Sequence, residues 1–119
     1  MTDCVCDYDQ PDWSRIERRK AAKDHKCGEC GRPIQKGERY EFSTGQYDGF
    51  ISRHRTCSRC LEVRRYVQEH VPCFCWLYSD MLNIARETVA EYAHELPGLY
   101  FGWARRHIAA VGRRHERAT

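Results

Sequence analysis

Long apolar runs are missing from this sequence. No stretch approaches the roughly 18 consecutive apolar residues of a transmembrane helix, which argues against a helical membrane span. The opening segment "MTDCVCDYDQPDW" is acidic and lacks the apolar core of a secretory signal, so the expected setting is cytoplasmic. Leu, Ile, Val and Met are sparse, and at 119 residues a hydrophobic core alone gives limited stability. Repeats and low-complexity segments are also missing, which leaves one domain spanning 1–119.

Cysteine is what the chain has in excess: eight residues, all in close pairs. Such a composition needs cross-links, either metal or disulfide. A cytosolic chain with paired cysteines points to zinc, against the alternative of a secreted disulfide framework.

The first set is Cys27-Gly-Glu-Cys30 followed by Cys57-Ser-Arg-Cys60. Two cysteines separated by two residues can turn both sulfurs toward one ion, and Gly31 permits the tight backbone that follows. The second pair opens a helix, where backbone N–H groups and the positive dipole end favour thiolate. Cys27, Cys30, Cys57 and Cys60 are therefore the expected ligands of one tetrahedral Zn²⁺, and four thiolates close its shell. A thioredoxin-type role for "CGEC" is the rival, but Gly31-Arg32-Pro33 turns the chain away where that motif needs a helix.

Between the pairs, Tyr40 and Phe42 alternate with polar residues, Gly45 and Gly49 bracket a turn, and Phe50-Ile51 follows, the pattern of a β-hairpin. Knuckle, hairpin and helix in that order resemble a treble-clef zinc finger. After Cys57 the period becomes helical through Cys60, Val63, Val67 and Val71, until Pro72 stops it. Ser79 is expected to cap a helix carrying Met81, Ala85, Val89, Tyr92 and Leu96 on one face, broken at Pro97-Gly98. A last helix follows with Phe101, Ala104, Ile108 and Val111 as its apolar stripe, and Arg106, Arg113 and Arg117 away from it. Upstream, Pro11-Asp12 opens a short helix through "WSRIERRKAAK", with an extended approach to Cys27 as the alternative. The fold class is α+β: a zinc-stabilised treble-clef-like core over 25–71 with a helical C-terminal extension over 79–117.

Two further C-x-C pairs lie at Cys4/Cys6 and Cys73/Cys75. A helix from Cys57 to Val71 is about 20 Å long, which carries Cys73 and Cys75 away from the first centre. The four are expected to form a second zinc site that ties the N-terminal leader to the end of the central helix. His70 or His25 could replace one thiolate. The alternative is that Cys73 and Cys75 pack as small apolar groups beside Trp76.

The ordered motifs "CVCDYDQPDW", "HKCGECGRPIQKGERYEF", "GQYDGF", "TCSRC", "VQEHVPCFCWLYSDM" and "YAHELPGLYFG" resemble a family of small cysteine-rich proteins encoded by tailed bacteriophages and prophages. They cover most of the chain to about residue 106. The resemblance implies metal binding, an infected bacterium's cytoplasm and an accessory role, and it brings no settled activity.

The expected function is non-enzymatic: a metal-held scaffold that docks on a host protein or nucleoprotein complex. "LPGLYFGW", with Leu99, Tyr100, Phe101 and Trp103, supplies aromatics of the kind enriched at interfaces, or else fills the core. The alternative is nucleic-acid binding. The net charge is only +3, but an acidic leader is followed by two basic segments. Arg15, Arg18, Arg19, Lys20 and Lys23 would contact phosphates, with Arg105, Arg106, Arg113 and Arg114 as a second row. Both rows are equally read as solvated faces. A third reading, a treble-clef nuclease, would use His54 as base. It lacks the metal partners such sites need, because the sole asparagine, Asn83, lies well past the helix.

Overall fold

The computed structural model describes residues 11–111. In chain order the elements are β1 (Trp13–Lys20), β2 (His25–Lys26), β3 (Pro33–Ile34), β4 (Arg39–Tyr47), β5 (Phe50–Cys57), α1 (Ser58–His70), α2 (Met81–Tyr92) and α3 (Leu99–Val111). This is an α+β architecture: an antiparallel sheet of order β1-β4-β5, a small β2-β3 ladder and three helices.

The expected helix at "WSRIERRK" is a strand. Trp13 and Ile16 alone give a helix too little apolar stripe to bury, whereas β1 pairs with β4 along its whole length, from Trp13 opposite Gln46 to Lys20 opposite Arg39. The hairpin is present, but its turn is tighter than Gly45 to Gly49. Tyr47 pairs with Phe50, and Asp48 and Gly49 alone connect the strands. Both have positive φ, 50° and 85°, as a two-residue turn matching strand twist requires. Gly45 lies inside β4, opposite Ser14 and Ser52.

Strand alternation gives the sheet two different faces. Glu41, Ser43 and Thr56 are buried on the face toward α1. There the Arg64 guanidinium grips Glu41 with two bonds, Nη1 to Oε1 at 3.1 Å and Nη2 to Oε2 at 2.5 Å. The opposite face carries Phe42 between Arg19 and Arg55, whose guanidinium carbons lie 4.1 and 5.2 Å from the ring centroid.

α1 buries Cys60, Leu61, Val63 and Val67, as its spacing predicts. The Val71 N–H still reaches Val67 O at 3.0 Å, and Pro72 has no N–H with which to continue. α2 buries Met81, Ala85 and Val89, with Tyr92 and Leu96 packed on the core edge. Ser79 does not cap it. Ser79 has φ 72°, Asp80 takes the cap position, and no side chain of the cap residue closes the helix.

α3 turns a different face inward from the one its spacing suggested. Leu99, Trp103 and Ala110 are buried, while Phe101 is 74% exposed and Ile108 53% exposed. Both stripes have helical spacing, and Gly102 decides between them. A Cβ there would lie 2.0 Å from the Tyr66 hydroxyl, so this side alone lets α3 approach α1. Val63, Val67, Met81, Val89, Leu99 and Trp103 are among the helical members of the core.

Candidate metal centre

Cys27 and Cys30 flank a tight loop closed by Gly31 N–H donating to Cys27 O at 3.0 Å, with Gly31 at φ 75°. A residue with a Cβ is strained in that conformation, so the glycine after the pair has the part its position predicted. Cys27 N–H donates to Arg32 O at 2.9 Å, which opens the β2-β3 ladder and points the pair inward. Cys57 ends β5 and is also the residue just before α1, and Cys60 lies in the first helical turn. The loop is attached to β5 by its backbone too, since Gly28 N–H donates to Arg55 O at 2.8 Å.

These elements bring Cys27, Cys30, Cys57 and Cys60 together, all buried, with their sulfurs within 4.8 Å of one another. Cys27 Sγ to Cys60 Sγ and Cys30 Sγ to Cys57 Sγ are both 3.8 Å, far longer than a disulfide's roughly 2.05 Å. The Cys27 sulfur accepts N–H bonds from Glu29 at 3.4 Å and Cys57 at 3.3 Å, an arrangement that favours thiolate. The group could hold a metal ion, and it is the one set of three or more such donors brought together among the described residues.

The protonation pattern shows how much charge the cluster has to share. Hydrogen bonds from Cys30, then Cys57 and Cys60, hold the Cys27 thiol far below its ordinary range. Cys57 and Cys60 are pushed up, each first by Cys27. Cys30 comes down to about 7, raised by Cys27 but lowered by Cys57 and Cys60. One sulfur takes the negative charge at its neighbours' expense. A divalent cation held by these four sulfurs would remove that competition.

Cys73 and Cys75 sit in the extended connection between α1 and α2. In extended chain alternate side chains share a side. Phe74 is buried in the core, and the two sulfurs lie 3.6 Å apart. Their expected companions Cys4 and Cys6 lie outside the described residues, as do Arg113 and Arg114. His70 is engaged at the end of α1, its Nδ1 2.8 Å from Tyr66 O and its ring stacked on Tyr66. His25 packs against Tyr40, with ring centroids 5.5 Å apart.

The basic residues divide. Arg15 and Arg19 lie on the open face of the sheet and both pair with Glu17, at 3.1 and 2.7 Å. Arg18 belongs to the other face and lines a cleft of about 280 Å³ with Arg64 and Arg65. Lys20 and Lys23 are exposed. Arg105 is exposed on α3, whereas Arg106 lies 4.3 Å over the Tyr66 ring and donates to Gly102 O at 3.0 Å. Among the described residues no ion pair or hydrogen bond joins the two basic segments.

His54 stacks flat on Tyr78, centroids 4.3 Å apart and rings 6° from parallel, and burial holds its pKa below the ordinary value. Asn83 Nδ2 donates to Asp80 Oδ1 at 2.9 Å. The residues that sequence reasoning passed over are Glu29, Glu41, Arg53, Arg55 and Arg64. Only the last three carried a signal, as arginines alternating along "ISRHRTC" or lying one helical turn past Cys60. No family model, curated protein or solved structure matches this chain.

Proposed function

We propose that this chain is a non-enzymatic, zinc-stabilised binding protein of treble-clef type. Its first Zn²⁺ would be held by Cys27, Cys30, Cys57 and Cys60. The observation that carries this reading is the buried four-sulfur cluster. Zinc bound at about 2.3 Å to four tetrahedral sulfurs sets them roughly 3.8 Å apart. Both measured sulfur pairs have that spacing. Four thiolates leave no position for water or substrate, so the ion is structural. The contacts of His54 and Asn83 favour packing and capping over catalysis.

The Cys73–Cys75 separation of 3.6 Å also suits one edge of a thiolate tetrahedron. Cys73 and Cys75, unlike the first four, stand as disulfide-bonded, so a second zinc completed by Cys4 and Cys6 rests on the C-x-C pairs of the sequence and requires those sulfurs reduced. The ordered motifs support a phage accessory protein in the bacterial cytoplasm that docks on a host protein or nucleoprotein. Direct nucleic-acid binding is the second reading, favoured by the arginines on the open face of the sheet.

The test is elemental analysis of native protein with thiol counting, repeated after chelation. The expected result is one zinc ion per chain on the four free thiols of the first set, and a second ion once Cys73 and Cys75 are reduced. Chelation should unfold the protein, because metal binding and folding are one equilibrium in sites of this kind. Cys57→Ser should lose the first ion together with the fold. Cys73→Ser should lose the second ion and keep the first site. Native protein without transition metal, or with the sulfurs of Cys27, Cys30, Cys57 and Cys60 paired as disulfides, overturns the proposal.

A further inference from the structure

The sheet has one face covered by α1 and one left open. In antiparallel sheets the open face is ordinarily mixed polar. Here β1 contributes Trp13, Arg15 and Arg19, and β5 contributes Ile51, Arg53 and Arg55, all on the same side by register. Arg19 and Arg55 prove the side, since both lie over Phe42. Against these four arginines stands one acid, Glu17.

Tyr40 and Phe42 on this face are buried, but Trp13, Arg15, Ile51 and Arg53 around them are presented. The Arg15 side chain is 76% exposed. Arg53 is exposed, and its side chain makes no ion pair or hydrogen bond among the described residues. Trp13 is 44% exposed and Ile51 51% exposed, so an indole and an aliphatic chain lie at the same end of the face. The indole is held in place by its Nε1–H donating to Gln46 Oε1 at 2.6 Å. A fixed, half-open aromatic ring beside exposed arginines, Arg15 shared with Glu17 and Arg53 without an ion pair among the described residues, is what an unstacked base and its phosphates require. A duplex hides its bases, and reading its grooves calls for a helix or ribbon shaped to enter them.

We propose that this open face binds single-stranded nucleic acid. A base stacks on Trp13 against Ile51, and the backbone phosphates run over Arg15, Arg53 and Arg55. The inference rests on the metal-held scaffold above, which fixes β5, and it assigns the ligand class of the second reading. Three phosphate contacts on a single strand give log affinity against log salt a slope of about −2.

The test titrates metal-replete protein of verified zinc content into fluorescent oligodeoxythymidylate, oligouridylate and a blunt DNA duplex, across a salt series. Binding to one or both single strands, more tightly than to duplex, is expected, with quenching of tryptophan emission. Arg53→Glu and Arg15→Glu, both exposed positions, should keep the melting temperature and flatten the salt slope by about 0.7 or more. Trp13→Ala should weaken binding roughly 5- to 100-fold and leave the slope unchanged. Arg105→Glu, on α3, should bind within twofold of the unmutated protein. The proposal is overturned if zinc-loaded, folded protein binds no strand at low salt, or if duplex binds as tightly. It is also overturned if Arg105→Glu costs as much as Arg53→Glu. A chain that holds no metal fails the earlier reading instead, and the metal assay separates the two outcomes.

Discussion

The Glu29 carboxylate, set between two cysteines of the buried four-sulfur cluster, accepts the backbone N–H of Ser79 at 2.8 Å. Its other oxygen accepts the Met81 N–H at 3.2 Å. Helix α2 thus takes its cap from a residue fifty positions upstream in place of its own Asp80. The start of a helix carries unsatisfied N–H groups and partial positive charge, and a carboxylate answers both. Burial raises the pKa of Glu29, opposed by the Ser79 and Met81 amides. Glu29→Ala should lower stability by about 1 kcal/mol in denaturant titration, the usual cost of a lost cap, with metal stoichiometry unchanged.

Glu41 and Arg64 make a nearly buried pair, and Arg64 also lies 4.6 Å from the Trp76 ring centroid. Removing one partner strands a charge. Arg64→Met should cost about 3–5 kcal/mol in equilibrium unfolding. The double variant Glu41→Leu/Arg64→Met should recover most of that loss, because no isolated charge remains.

Gly102 offers a sharper steric test. Alanine is about 1 kcal/mol better than glycine in a helix interior, so propensity alone predicts stabilisation. Tyr66 blocks it. Its ring lies between His70 at 4.1 Å and Arg106 at 4.3 Å, and its hydroxyl donates to Leu99 O at 3.4 Å. Gly102→Ala should destabilise the protein by roughly 1–3 kcal/mol, the range for overpacking. Tyr66→Phe in the same background should relieve part of it.

His54 gives a pH dependence whose sign follows from its surroundings. Burial sets its folded-state pKa below the ordinary 6.5. Above pH 6.5 the imidazole is neutral in both states, and its contribution to stability is fully present. As pH falls below 6.5 the unfolded chain takes the proton first, so stability drops until the folded-state pKa is passed. His54→Phe keeps a ring on Tyr78 and removes the titration. Its stability should fall less steeply than that of the unmutated protein over this interval, measured by denaturation at each pH.

The first cysteine set was legible because ligand spacing is a local property: two-residue separations, a glycine after the first pair and a helical period after the second. α1 and its buried Val63 and Val67 were equally plain, since Pro72 marks the end. β1 was not. Its charges lie on both faces, and what makes it a strand is β4, whose paired residues are 19 to 33 positions away. The inward face of α3 was hidden for a related reason. Phe101-Ala104-Ile108 and Leu99-Trp103-Ala110 are rival stripes, and the choice depends on where Tyr66 stands on another helix. Glu29 as a cap for α2 was likewise invisible, because side-chain capping is read from neighbouring residues.

Among the described residues the order β1-β4-β5 leaves β1 without a strand partner along one side, a template onto which another chain could zip, whereas β5 is partly covered by the Gly28 N–H on Arg55 O. Arg15, Arg18, Arg19 and Lys20 on β1 would meet their own counterparts on a second copy, the kind of charge that opposes edge-to-edge pairing. Neutralising those cations would therefore favour self-assembly while the three-dimensional structure was still intact.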